Sequence, residues 1–147
     1  MSSPTYRFDD RLIHWQPFRG FEGLDYYLLS VDERSNQVYM LMRFAPNQCC
    51  VPHRHVGPTK TLVLDGEHQI FEHDGTTSHR PAGTFSQNQG DEAHLEGGGP
   101  DGAIILLTMT AVDGVVYDIL SEDETEVVRQ ISLHDFQRGL ARQASAA

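Results

Sequence analysis

The sequence predicts an all-β sandwich or barrel with one short helix at its C-terminal end. Three observations carry this. Short apolar and aromatic runs recur through the middle of the chain, the dipeptide Asp-Gly punctuates them four times, and helical periodicity appears only near the end. Evenly spaced short strands with turn signals between them are the pattern of a closed or stacked antiparallel sheet.

The elements follow in order. Leu24–Val31 and Gln37–Ala45 read as two strands joined by a turn near Arg34-Ser35-Asn36. Thr61–Leu64 and His68–His73 flank Asp65-Gly66, which reads as a tight hairpin because both residues tolerate positive φ. Thr84–Gln87, Ala93–Glu96, Ala103–Thr110 and Val115–Leu120 are the remaining strands, with further turn signals at Asp74-Gly75, Asp101-Gly102 and Asp113-Gly114. Near the end, Ser132 is a helix cap and Asp135 suits the positive helix start. Leu133, Phe136 and Leu140 make an apolar stripe at helical spacing, so a helix is expected over about 133–142, with the tail from Ala141 to Ala147 fraying and His134 on the surface. The stretch holding His14, Trp15, Pro17 and Phe18 has no clear period and is expected to pack across the barrel or against a second subunit.

The chain has 147 residues, enough for one domain with its own core. No apolar run approaches the ~20 residues of a membrane span. The first residues lack a basic-then-apolar leader pattern, so a cytoplasmic location is expected. Net charge is −10, which argues against a nucleic-acid surface. Glu122-Asp123-Glu124 with Glu126 reads as a solvated edge or loop. The adjacent cysteines Cys49 and Cys50 suggest no disulfide framework and read as small apolar residues, close enough to His53 to leave a ligand or redox role open.

Eight histidines make the one unusual count. His53-Arg54-His55 places two imidazoles at i and i+2, which share one face of an extended segment. A third imidazole from a neighbouring strand would close a three-nitrogen metal site, and His94 is the candidate. Imidazole suits iron, zinc, copper and nickel, so residue type alone does not choose the metal.

The surrounding spacing resembles the cupin family. That family's first motif runs Gly, five residues, His-x-His, three or four residues, Glu, six residues, Gly. Here Asn47 stands at the first Gly, Thr59 at the Glu and Gly66 at the last Gly. Asn for Gly is mild, since Asn also enters the left-handed region; Thr for Glu removes an acidic ligand. The second motif keeps Gly83 and His94 in register, with Gln89, Asp91 and Gly98 at its Pro, Gly and Asn positions. The resemblance spans about residues 38 to 110. It implies a single-domain double-stranded β-helix, or jelly roll, in which His53, His55 and His94 face the lumen and bind one divalent metal.

With Thr59 in place of the acid, the site resembles the three-histidine acetylacetone-cleaving (β-diketone) dioxygenases, and also the cupin domain of ChrR-type anti-sigma factors. The first likeness implies Fe(II) held by neutral ligands and O₂-dependent cleavage of a carbon–carbon bond in a small dicarbonyl or hydroxy-ketone substrate. The second implies a non-catalytic metal- or ligand-binding module that senses or regulates. Zn(II) or Ni(II) at the same ligands implies a hydrolase or isomerase. A homodimer is expected from the family.

Alternation along the strands adds pocket candidates. Glu96 shares a face with His94 as a replacement ligand, a hydrogen-bond acceptor beside the site or an edge residue. Thr59 and Thr61 face the lumen. Gln69 and Gln87 can bond a polar substrate, and Arg43 faces either way. His68, His73 and His79 surround the expected hairpin and read as structural or solvent-exposed.

Overall fold

In the computed structural model, described over residues 2–49 and 52–146, ten strands form a strongly curled antiparallel sheet and one helix packs against it. The elements are β1 (Gln16–Pro17), β2 (Leu24–Asp32), β3 (Gln37–Phe44), β4 (His53–His55), β5 (Thr59–Phe71), β6 (Thr77–Pro81), β7 (Phe85–Asn88), β8 (Ala93–Thr110), β9 (Val115–Leu120), β10 (Val127–Ser132) and α1 (Leu133–Ala146). The strand order is β1-β2-β3-β8-β4-β9-β10, and β5 pairs with β6, β7 and β8. No helix among the described residues is long and apolar enough to cross a membrane.

Strand β8 joins the two parts of the sheet. Its last eight residues pair with β3, from Gln37↔Thr110 to Phe44↔Ala103. Its first residues pair with β4, placing His53 opposite His94. Strand β5 runs beside it over nearly its whole length. The two strands that carry the predicted imidazoles are therefore hydrogen-bonded neighbours.

Two of the four Asp-Gly pairs are hairpin turns, and two are not. Asp113 (φ 49°) and Gly114 (φ 80°) make a two-residue turn closed by reciprocal Val112–Val115 backbone bonds, the geometry that follows the natural strand twist. Asp74-Gly75 closes the β5–β6 connection. Asp65-Gly66 and Asp101-Gly102, in contrast, lie inside β5 and β8, where the register slips between Val63 and Asp65 and again between Gly66 and His68. A Cβ on Gly66 would sit 2.1 Å from the Gly102 carbonyl oxygen. Both long strands bend together at this close approach, so the expected hairpin is one continuous strand. The unforeseen strands β6 and β10 are both sheet additions, pairing with β5 and β9 respectively.

The interior is filled from alternate positions of the central strands. Val38, Met40 and Met42 of β3 meet Val63 of β5 and Ile105, Leu107 and Met109 of β8, all nearly inaccessible to water. Each such side chain contributes roughly 1.5–3 kcal/mol by burial. The helix closes one side with Phe136, and Gly139 lets it approach Leu28 closely. Its start is a reciprocal cap, with Asp135 N–H donating to Ser132 Oγ at 3.0 Å and Ser132 N–H to Asp135 Oδ2 at 2.8 Å. The helix also runs past the expected end. Gln143 accepts from Leu28 N–H at 2.9 Å and donates to the Leu28 carbonyl at 2.8 Å, fixing the last turn to β2.

Candidate metal centre

Strand β4 is three residues long and spends two of them on imidazoles. His53 and His55 point inward and are buried, while Arg54 points out and binds Asp118 at 2.6 Å. His53 faces His94 across the ladder, and His55 faces Tyr117. The loop entering β8 is held over β4 by Asp91 N–H donating to the His55 carbonyl at 2.7 Å. That loop uses two successive left-handed residues, Gly90 (φ 93°) and Asp91 (φ 66°), and Asn47 before β4 is left-handed at 59°. The residues standing at the motif glycines thus adopt the conformations that glycine would favour.

One ligating atom from each of His53, His55 and His94 lies within 4.8 Å of the others. Ring centroids are 5.2 Å apart for His53–His55, 4.8 Å for His53–His94 and 5.4 Å for His55–His94. His55 Nδ1 and His94 Nε2 are buried without a hydrogen-bond partner. A buried polar atom left in that state costs about 1–3 kcal/mol, and metal coordination removes such a cost. Burial, with the neighbouring imidazoles His53 and His94 adding to it, pushes His55 well below the ordinary histidine range. It is held neutral, the form that ligates a metal.

Glu96 changes the character of the site. It shares the inward face of β8 with His94, is 3% exposed, and lies among four imidazoles. Its Oε2 is 3.2 Å from His68 Nε2 and 3.3 Å from His94 Nε2, and its Oε1 is 3.7 Å from His53 Nε2. The contact with His94 is close, but His94 Nε2 makes no hydrogen bond there. Burial alone would raise the Glu96 carboxyl; the hydrogen bond from His68 and the close approach of the His94 and His53 imidazoles outweigh it and hold it well below the usual carboxylate range. Burial likewise opposes protonation of His94, and Glu96 reverses that effect and raises it. Glu96 thus stands beside the three histidines, near His94 through one oxygen and farther from His53 through the other, and bonded to His68. Three imidazole nitrogens fit a divalent first-row metal ion. The three histidines expected from the sequence come together, with one carboxylate beside them.

The partner of Glu96 was missed in the sequence. His68 is 1% exposed, with its ring centroid 5.4 Å from that of Phe44. Reading Asp65-Gly66 as a hairpin put His68 near an exposed tip. The continuous strand, with its register slips, instead turns His68 inward opposite Gly98, which has no side chain to exclude the ring. His73 and His79 are exposed as expected, bound to Glu124 and Glu67 at 2.8 Å each.

The other candidates separate by face. Thr59 and Thr61 are buried on the inward side of β5, and Thr59 Oγ1 donates to the Gly57 carbonyl at 3.3 Å. Gln69 faces outward, because its neighbours His68 and Ile70 take the interior; its amide donates to Glu67 at 2.7 Å. Arg43 also lies outside, 2.6 Å from Asp25 and stacked 4.8 Å from the Trp15 ring. Gln69 and Arg43 are therefore removed from the pocket. Cys49 forms an isolated bridge with Gly97, and burial followed by the Glu96 charge raises its thiol pKa; Cys50 lies outside the described residues.

A small apolar cavity of ≈ 10 Å³ abuts His53 and Glu96, walled by Phe18, Phe21, Leu24, Met42, Tyr117 and Ile119. Its size is that of a single water molecule.

Residues 5–113 match the family described as the ChrR cupin-like domain. The chain belongs to that family. Solved structures place this cupin's fold beside two kinds of relative. An acetylacetone dioxygenase from Acinetobacter johnsonii is similar at 14% identity and a TM-score of 0.74, over 97% of this chain and 93% of that one. A putative acetylacetone dioxygenase from Methylibium petroleiphilum PM1 is similar at 17% identity and 0.72, over 96% and 99%. Rhodobacter sphaeroides SigE in complex with the anti-sigma ChrR is similar at 20% identity and 0.55, over 66% of this chain and 48% of that one. Among proteins of curated function, none matches this cupin. At these identities the likeness fixes the all-β cupin architecture, and the chemistry has to be argued from the site.

Proposed function

We propose that this cupin is a metal-dependent oxygenase that cleaves a carbon–carbon bond in a small dicarbonyl or hydroxy-ketone substrate with O₂. His53, His55 and His94 are its metal ligands, Glu96 orients them from beside the set, and Fe(II) is the ion. The observation that supports this reading is the convergence of two buried imidazoles and a third, half-buried one beside an ionised carboxylate. When bound, Fe(II) would supply Lewis acidity toward two chelating substrate oxygens and a site for O₂. The protein's part is to hold and exclude. His68 fixes the Glu96 carboxylate through its Nε2, and Glu96 in turn sets the orientation of His94. Phe18, Phe21 and Leu24 keep water from His53. With three neutral ligands and one carboxylate beside them, a divalent ion keeps a net positive charge, which favours a substrate that binds as an anion such as an enolate.

The family match favours a second reading, a non-catalytic metal-binding cupin that senses or regulates. Metal analysis of protein purified without chelator, followed by O₂ uptake on a panel of β-diketones, separates the two. Iron at one per chain with substrate-dependent O₂ uptake is expected. Stoichiometric zinc, with no uptake after iron reconstitution, would overturn the oxygenase. Full metal occupancy in His94→Ala would overturn the ligand assignment.

A further inference from the structure

Arginine is distributed unevenly in this acidic protein. Of its ten arginines, five hold an aspartate partner: Arg7 with Asp65, Arg11 with Asp9, Arg43 with Asp25, Arg54 with Asp118 and Arg138 with Asp135. Arg19, Arg129 and Arg142 have no carboxylate within ion-pair distance among the described residues, and all three line one cavity of ≈ 470 Å³ with Arg138. They arrive there from three different elements. Arg19 follows β1, Arg129 lies on β10, and Arg138 and Arg142 are four residues apart on one face of α1. The only carboxylate in the lining, Asp135, is engaged by Arg138 and by the helix cap.

Four arginines line one groove with a single carboxylate among them, an excess of positive charge that an anion would balance. The floor is apolar, made by Phe18, Tyr26, Ile131 and Phe136. The volume lies in the range of small-molecule sites, about 300–1,000 Å³. Guanidinium forks match the oxygens of phosphate and carboxylate in pairs. We propose that this groove is a binding site, separate from the metal centre, for a small organic anion. The ligand carries a phosphate- or carboxylate-type head on the arginine rim and an aromatic or alkyl body on the Phe18–Phe136 floor. Phe18 is also a wall of the cavity beside His53, so one aromatic side chain separates the groove from the metal site. A ligand seated against it therefore touches the same residue that closes off His53.

The test is calorimetric titration of the full chain, freed of metal by chelator, with 1-naphthyl phosphate, inorganic phosphate and 1-naphthol. Removing the metal keeps direct anion coordination out of the readout. Saturable one-to-one binding of 1-naphthyl phosphate is expected, weakened about tenfold or more in the Arg129→Gln/Arg142→Gln double variant and weakened by added salt. Inorganic phosphate should bind more weakly because it leaves the floor uncovered, and 1-naphthol more weakly because it lacks the charge. These exposed positions tolerate glutamine, and an unchanged urea midpoint checks that the variant is folded. Undiminished affinity in the folded double variant, or no saturable binding by the wild type, would overturn the proposal. Equal binding of inorganic phosphate would overturn the role given to the apolar floor.

Discussion

Glu96 Oε2 and His68 Nε2 stand 3.2 Å apart inside the barrel, both almost wholly buried. The pair joins β8 to β5 and brings a carboxylate to His53 and His94. The first cupin motif has lost its acid at Thr59, yet an acid occupies the site from the second motif's strand. Glu96 stands two residues after His94, on the same inward face.

Replacing Glu96 by Gln should therefore weaken metal binding by about 10–100-fold, the range seen when a group that tunes metal ligands is lost. Thr59→Val removes only a hydroxyl bonded to the Gly57 carbonyl and should leave metal affinity within about twofold. Competition against a chromophoric chelator measures both. An affinity unchanged by Glu96→Gln would show that the carboxylate does not support the ligands.

His68→Leu should destabilise the metal-free protein by about 1.5–3 kcal/mol, since it strips a hydrogen bond from a buried ionised group. Urea denaturation after chelator treatment gives the value. A cost below about 0.5 kcal/mol, the level of ordinary surface substitutions, would show that Glu96 does not depend on this partner.

The triad was legible because it rests on spacing that the backbone preserves. His53 and His55 alternate on one short strand, and Gly83 keeps its register to His94. Asn47 and Asp91 were readable as glycine substitutes, and both adopt positive φ. His68 was not legible, because its facing depends on register slips that no residue type announces. The dipeptide at Asp65-Gly66 is the same as at Asp113-Gly114, yet one bends a strand and the other ends one. The difference comes from what packs opposite, the Gly102 carbonyl in the first case and open space in the second. Arg43 and Gln69 were ambiguous for a related reason. A long polar side chain on a strand takes its direction from its partners, here Asp25 and Glu67.

The helix cap gives a pH-dependent prediction. Asp135 is held below the usual carboxylate range, chiefly by the backbone N–H of Ser132. A carboxyl depressed in the folded state stabilises it above the unfolded value of about 3.9, and that contribution is lost as pH falls through the folded value. Asp135→Asn should thus lower stability near neutral pH by about 1 kcal/mol, a few degrees in Tm. The gap to wild type should close as pH falls below about 4. Thermal melts of both proteins across that range check the sign; a gap that widens on acidification would contradict the cap.

The bend at Gly66 makes the strongest demand on a single residue. Its φ of 71° disfavours any side chain, and an added Cβ would meet the Gly102 oxygen at 2.1 Å, a backbone atom that cannot rotate away. Gly114 has a similar φ of 80° but nothing within 4 Å of its would-be Cβ. Gly114→Ala should cost about 1–2 kcal/mol, the conformational term alone. Gly66→Ala adds the steric conflict and should exceed about 4 kcal/mol, the range reserved for strain at a special backbone position. The two variants should also differ at the metal. Pushing β5 from β8 at Gly66 moves His68, two residues on, relative to Glu96, so Gly66→Ala should weaken metal binding while Gly114→Ala leaves it unchanged. Urea midpoints and chelator competition on the same two proteins decide it, because equal costs and equal affinities would mean that the bend does not set the facing of His68.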